Sequence, residues 1–313
     1  GTDKAPKRED ILSVQNGGRG TGIYILTAFG KRPRMLMGLG CNAAAIVGCR
    51  IIDSPRERLI AILTNAFVPC NGRFPALIAV IGMFFTYSAF ASGALAGAVM
   101  LTALLIVSVA ATLLCGRLLS RTLLKGEQSS FTLELPPFRM PRVGRLIVRS
   151  VVDRTLFVLG RAAAVAAPAG LLLYALSNIS IGGQSILAAA VGFLDPFARV
   201  FGLDGAILIA FMLGFPANEI VLPIAIMAYT ASGSLEELPA LCDMRALLIA
   251  NGWSIKTAVC FVLFSVMHWP CSTTLLTIKK ETGSLKWTIL AFLLPTVFGL
   301  AACFIVNAVF TLL

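Results

Sequence analysis

Three observations predict that this sequence folds as an all-α polytopic membrane protein, built from two repeats with re-entrant or broken helices. First, 58% of its 313 residues are hydrophobic and only 13% charged, against about 45–50% and about 25% in soluble domains. Half the usual charge cannot coat a water-facing surface, which excludes a soluble globular protein, and the abundance of aliphatic residues excludes a disordered one. Mean hydropathy is +0.88. Second, uncharged runs long enough to cross a bilayer recur, and a helix lets such a run satisfy its own backbone in lipid. The alternating pattern of a β-barrel is absent. Third, several apolar segments too short to cross end in Gly or Pro at matching places in the two halves, a pattern that marks the centre of a transporter.

Twenty-six Lys and Arg against fifteen Asp and Glu give a net charge of +11. The bases flank apolar blocks, as cytoplasmic flanks of membrane helices do, so the excess points to no nucleic acid. The eight cysteines are widely spaced and mostly lie inside apolar runs, which argues against a secreted disulfide framework.

The elements follow in order. Residues 1–34 form a polar N-terminal lead-in with seven bases and three acids. Residues 35–116 hold a first region of broken helices and then membrane helices. Met35–Val47 and Leu59–Val68 are too short to span. Phe74 to Gly116, 43 positions without a charge, contains two spans near 74–91 and 94–115, turned at Ala91-Ser92-Gly93. Residues 117–154 form a basic loop, with eight bases, three acids and the stiff stretch Glu134-Leu-Pro-Pro-Phe-Arg139, and are assigned to the cytoplasm. Residues 155–313 hold the second broken region and the C-terminal spans, near 155–177, 254–268 and 287–312. Within them the short segments 204–215 and 221–231 flank Gly214-Phe-Pro-Ala-Asn218. Gly38-Leu-Gly-Cys-Asn42 echoes that motif in the first half. Pro69-Cys70 follows one motif and Pro270-Cys271 the other.

Glu219 is the only charge between Asp204 and Glu236. A buried acid at membrane depth faces a cavity or a partner and marks an ion or proton path; an acid in a first helical turn, behind Asn218 as N-cap, is the structural alternative. Cys41, Cys70 and Cys271 each sit at a predicted helix break. There a thiol can take a soft or borderline divalent cation beside loosened carbonyls, or simply pack. Cys49, Cys115, Cys242, Cys260 and Cys303 are assigned to packing. Asn42 either caps a half-helix or offers its carbonyl to an ion. His268, the sole histidine, is assigned to the membrane interface with Trp269, and Arg73 to a snorkelling position at a helix end, the alternative being that, three residues after Cys70, it holds that thiol as thiolate. No phosphate-binding loop of the form G-x-x-x-x-G-K-[ST] occurs, and one histidine supports neither a catalytic triad nor a histidine metal cluster, so no enzyme is predicted.

Six ordered segments resemble a known family. Met37-Gly-Leu-Gly-Cys-Asn-Ala-Ala-Ala-Ile46, Cys49-Arg-Ile-Ile-Asp-Ser-Pro-Arg-Glu-Arg58 and Phe67-Val-Pro-Cys-Asn-Gly-Arg-Phe-Pro75 are similar to the first Gate motif of bacterial ferrous iron transport protein B. Glu134-Leu-Pro-Pro-Phe-Arg-Met-Pro141 resembles the loop between its two Gate regions, and Gly214-Phe-Pro-Ala-Asn-Glu-Ile-Val221 its second Gate. Trp269-Pro-Cys-Ser-Thr-Thr-Leu275 with Ile278-Lys-Lys-Glu-Thr-Gly-Ser-Leu-Lys-Trp287 resembles the segment before its last helix. The resemblance spans roughly residues 30–313.

What the resemblance implies is a multi-pass permease domain of two Gate-type repeats in the bacterial inner membrane, taking up Fe²⁺. It implies no permanently bound cofactor, with Fe²⁺ as transported substrate. The residues carried over are Cys41, Asn42, Cys70, Asn218, Glu219 and Cys271. Many members have Lys-Glu where this chain has Asn218-Glu219. Implied partners are membrane lipid, a GTP-binding domain separate or missing from this chain, small accessory Feo proteins and further copies of the chain; no nucleic acid is implied. The chain reads as a C-terminal fragment or as a shortened relative served by a separate GTPase. A Gate-type carrier of organic solutes such as nucleosides is the alternative.

Overall fold

The computed structural model describes residues 35–52, 54–86, 93–124, 157–181, 184–230 and 241–312. Thirteen α-helices lie within them: α1 Met35–Gly40, α2 Asn42–Gly48, α3 Pro55–Thr64, α4 Phe74–Ile81, α5 Gly93–Arg121, α6 Phe157–Asn178, α7 Ile186–Val200, α8 Gly205–Leu213, α9 Val221–Thr230, α10 Leu241–Ala250, α11 Ile255–Met267, α12 Ser272–Thr282 and α13 Leu285–Leu312. A two-residue strand pair, Ser180–Ile181 with Gln184–Ser185, is the only sheet among the described residues. The molecule is an all-α polytopic membrane protein. The lead-in 1–34 and nearly all of the basic loop lie outside the described residues; of 117–154 only the start is described, and α5 runs on through it to Arg121.

Length and burial divide the helices. Three stretches are long and apolar enough to cross a membrane, Leu95–Arg121, Ile255–Thr282 and Leu285–Leu312, and a bent pair, α7 with α8, makes a fourth if counted as one span. Only 28% and 22% of the apolar windows of the first and third are buried, whereas 67% of the window in Ile255–Thr282 is. So α5 and α13 are peripheral, presenting Leu95, Ile106, Val297 and Ile305 outward as lipid-facing helices do. The α11–α12 stretch is central, although His268 to Cys271 interrupts its helix.

Local signals explain the ends. Ser54 caps α3, with Pro55 behind it, and Ser185, Asp204 and Ser254 cap α7, α8 and α11. Each oxygen accepts an amide hydrogen that the first helical turn leaves unpaired. Gly283, at φ 63°, ends α12 in the left-handed conformation and donates to the Lys279 carbonyl at 3.0 Å, the common glycine stop.

The bend between α7 and α8 measures 107° and has a clear cause. A Cβ on Gly205 would lie 2.2 Å from the Val191 carbonyl oxygen, so only glycine lets the two helices fold back this closely. The corner is tied by carboxylates. Asp195 accepts the Gly205 amide at 3.1 Å, and Asp204 accepts the Ile207 amide at 2.7 Å and the Tyr229 hydroxyl, which in turn accepts from Trp253 Nε1 at 2.7 Å. Gly299 plays a similar part between α11 and α13, where a Cβ would come 2.9 Å from the Met267 carbonyl oxygen.

Candidate functional site

The sequence motifs at the helix breaks fold alike. Cys41 (φ −150°, ψ 122°) and Ala217 (φ −148°, ψ 115°) are both extended, and each precedes an asparagine that opens a new helical turn. After each Pro-Cys pair the next amide donates to the other break of its own half: Asn71 N to Gly40 O at 3.2 Å, and Ser272 N to Phe215 O at 2.9 Å. The two halves therefore share a hydrogen-bonding plan that the loose sequence echo only hinted at. Asn218 is not the N-cap; Ala217 is, with no side-chain cap bond.

The breaks of the two halves also meet each other. Asn218 is buried, with its carboxamide between the Cys70 thiol (Nδ2 to Sγ, 3.9 Å) and the His268 ring (Oδ1 to Nε2, 3.4 Å). Gly72 lies against the backbone of Glu219. Helix α2 packs on α12, and α4 on α11. Cys271 is half-buried at the start of α12, its thiol 3.2 Å from Thr274 Oγ1. Two buried polar atoms here lack a hydrogen-bond partner, Asn42 Oδ1 and Ser272 Oγ. Such groups are uncommon in folded proteins and are readily met by water or an ion.

Arg73 overturns its assignment to a snorkelling position. It is 1% exposed. Its guanidinium donates to four backbone carbonyls, Ala66 (3.1 Å), Val266 (2.8 Å), His268 (3.2 Å) and Trp269 (3.2 Å), while Nε has no partner. The first carbonyl belongs to one half of the chain and the other three to the other half. A planar fork suits this task, because several donors diverge from one rigid group. Breaks in α11–α12 free carbonyls that an intact helix would have used, and these are what the arginine collects.

Three further expectations change. His268 is not at the membrane interface but 1% exposed. It sits within 4.8 Å of the Phe211 ring centroid, with Nδ1 against the Ser265 (2.9 Å) and Phe264 (3.2 Å) carbonyls. Glu219 is exposed rather than buried: the 3₁₀ turn Asn218–Ile220 points successive side chains apart, so Asn218 turns inward and Glu219 outward. Cys242, assigned to packing, is exposed, whereas Cys49, Cys115, Cys260 and Cys303 are buried as expected. Cys41 is exposed at the N-terminus of α2, and no hydrogen bond joins its thiol to the other break residues. Among the described residues no three His, Cys, Asp or Glu side chains are grouped so as to hold a metal ion. The arrangement brings together Cys70, Asn218, His268 and Arg73, with Cys271 on the adjoining turn and Glu219 at its edge.

At the rim, Arg50 makes a two-pronged ion pair with Glu281, Nε to Oε2 and Nη2 to Oε1, both 2.7 Å. The carboxylate beside it raises the guanidinium pKa further. The pair joins the turn after α2 to the end of α12.

Comparison with known proteins agrees with this architecture. A family model described as ferrous iron transport protein B C terminus matches residues 101–154, and the Gate model, described as nucleoside recognition, matches residues 159–285. An Fe(2+) transporter FeoB of Staphylococcus aureus (strain MSSA476) is 26% identical over 281 residues, covering 87% of this chain and 39% of the relative. The Fe(2+) transporter FeoB of Campylobacter jejuni is 26% identical over 273 residues (83% and 43%), and that of Leptospira interrogans (strain Fiocruz L1-130) 25% over 304 residues (89% and 42%). The chain thus spans about two fifths of the length of these relatives. No solved structure matches. In order along most of its length, and on an all-α membrane fold, this chain is similar to the C-terminal, Gate-type membrane domain of ferrous iron transport protein B.

Proposed function

We propose that the chain is a permease domain for ferrous iron uptake across the bacterial inner membrane. Fe²⁺ would pass along a path formed by Cys41, Asn42, Cys70, Asn218, Glu219 and Cys271. The observation that carries this reading is the meeting of both halves' helix breaks at Cys70, Asn218 and the Arg73 carbonyl cluster. Broken helices that converge inside a membrane protein offer unpaired backbone and polar side chains where a desolvating ion needs them. Iron(II) accepts sulfur, oxygen and nitrogen donors.

Exposure assigns different parts to the residues. Glu219 and Cys41, both exposed, serve as entry or exit positions that gather the hydrated ion. Cys70 and Cys271, half-buried, exchange part of its water shell for sulfur. The buried Arg73 charge opposes any cation nearby, so a bound Fe²⁺ is held weakly, as transport requires. Energy coupling is assigned to a GTP-binding domain and small accessory Feo proteins, with lipid and further copies of the chain as surroundings.

The description of the Gate model as nucleoside recognition supports a second reading, a carrier of organic solutes. Uptake into proteoliposomes containing the purified chain and a GTP-binding partner separates the two. Fe²⁺ accumulation unaffected by excess uridine supports the permease; uridine accumulation without Fe²⁺ refutes it.

A further inference from the structure

We propose that His268 gives the transported cation a nitrogen ligand, through Nε2, at the point where the Asn218 carboxamide lies between its ring and the Cys70 thiol. This rests on the Fe²⁺ path above and adds a donor of a different chemical class to its sulfur and oxygen atoms.

The ring's hydrogen bonds define its state. Nδ1 lies 2.9 Å from the Ser265 carbonyl and 3.2 Å from that of Phe264. Carbonyls only accept, so Nδ1 carries the proton. The ring is buried, and its own backbone carbonyl already holds the Arg73 guanidinium; a second proton would place another uncompensated cation in the same dry space. Nε2 therefore presents a lone pair. Histidines that bind metals are typically arranged in this way, one N–H fixed on a backbone carbonyl and the other nitrogen free. Phe211, Phe264 and Trp269 pack around the ring and hold its direction, which is toward Asn218.

The Asn218 carboxamide is the piece that moves. It separates Cys70 from His268, and a half-turn exchanges its oxygen and nitrogen. With the nitrogen toward Nε2 and the oxygen toward the thiol, every donor meets an acceptor. An ion that displaces this amide meets the Cys70 sulfur, the His268 nitrogen and the amide oxygen together. The thiol releases its proton to water as the metal binds, and the resulting thiolate offsets part of the charge of the ion and Arg73. A mixed sulfur, nitrogen and oxygen set favours Fe²⁺ over Mg²⁺ and Ca²⁺, which take oxygen alone.

Because His268 is the sole histidine, one labelled residue reports on the site. The full chain, carrying ring-¹⁵N histidine in detergent, is titrated with Zn²⁺ as a diamagnetic probe. The expected spectrum has a protonated Nδ1 and an unprotonated Nε2, and Zn²⁺ moves the Nε2 resonance, but not in Cys70→Ser. In uptake assays His268→Asn, which keeps a donor for the Ser265 carbonyl but has no Nε2, raises the KM for Fe²⁺ several-fold with melting retained. An Nε2 that carries the proton, or a resonance that Zn²⁺ leaves in place, overturns the inference. A wild type that accumulates no Fe²⁺ overturns the permease reading instead, since the zinc titration reads ligation without transport.

Discussion

Replacing Arg73 tests how the two halves are held together. Four carbonyls depend on its guanidinium, and a hydrogen bond to a charged group contributes about 1.5–3 kcal/mol. Arg73→Lys keeps the charge but swaps the fork for a single ammonium, which reaches about two of the four. Two lost bonds, partly offset by relaxation, should cost about 3 kcal/mol. For a domain of this size that is about 6–12 °C in melting temperature, at about 2–4 °C per kcal/mol. Arg73→Met loses all four bonds but also removes a buried charge whose desolvation costs several kcal/mol, so its net loss should be about 2–3 kcal/mol and no worse than that of lysine. The assay is thermal unfolding in detergent followed by fluorescence of the core residues Trp253 and Trp269. A methionine variant that melts at or above wild type would show that the arginine is a net burden rather than a clamp. A lysine variant equal to wild type would show that the fork geometry is irrelevant.

Other substitutions probe other parts of the account. Gly205→Ala should prevent the α7–α8 bend, since its Cβ would overlap the Val191 carbonyl; a stable, uptake-competent variant would contradict the close approach. Tyr229→Phe leaves the half-buried Asp204 without one donor and Trp253 Nε1 without its acceptor, so a loss of about 1–3 kcal/mol is expected by thermal melting; an unchanged melting temperature would remove the corner network. Because Arg50 is exposed, Arg50→Ala should hardly move the melting temperature, and any change should vanish in high salt; a large, salt-independent loss would mean that the Arg50–Glu281 pair is a structural strut.

Much of the fold was legible because the membrane restricts the choices. Uncharged run lengths located α6, α11 and α13 within a few residues and the start of α5, which runs on to Arg121 past its expected end, and the serine and aspartate caps and Gly283 account for where several helices begin or end. Cys70, singled out because it stands at a Pro break, meets Asn218 across the two halves. What was misread shares one cause. His268, Arg73 and Glu219 were judged by residue type and by neighbours in sequence, which favour an interface, a snorkelling end and a buried acid. Their true settings depend on long-range partners: Arg73 finds carbonyls almost two hundred positions away, and although Pro270 leaves the Val266 carbonyl without a helical donor, nothing in the local pattern says which side chain meets it. One sequence signal did point inward: Arg73 and His268 each stand within three residues of a break cysteine. Cys41 stands at the start of α2, at the helix break the sequence placed there.

The most direct test of the central claim is Fe²⁺ influx by wild type, Cys70→Ser, Glu219→Gln and Cys303→Ser, compared at equal expression in cells that supply the GTP-binding partner. Cys70 lies where the halves meet, Glu219 at the edge of that meeting, and Cys303 in packing between α11 and α13. The account predicts strong loss of influx for Cys70→Ser and Glu219→Gln and near wild-type influx for Cys303→Ser. Equal losses at Cys303 and Cys70, or undiminished influx with Glu219→Gln, would contradict it.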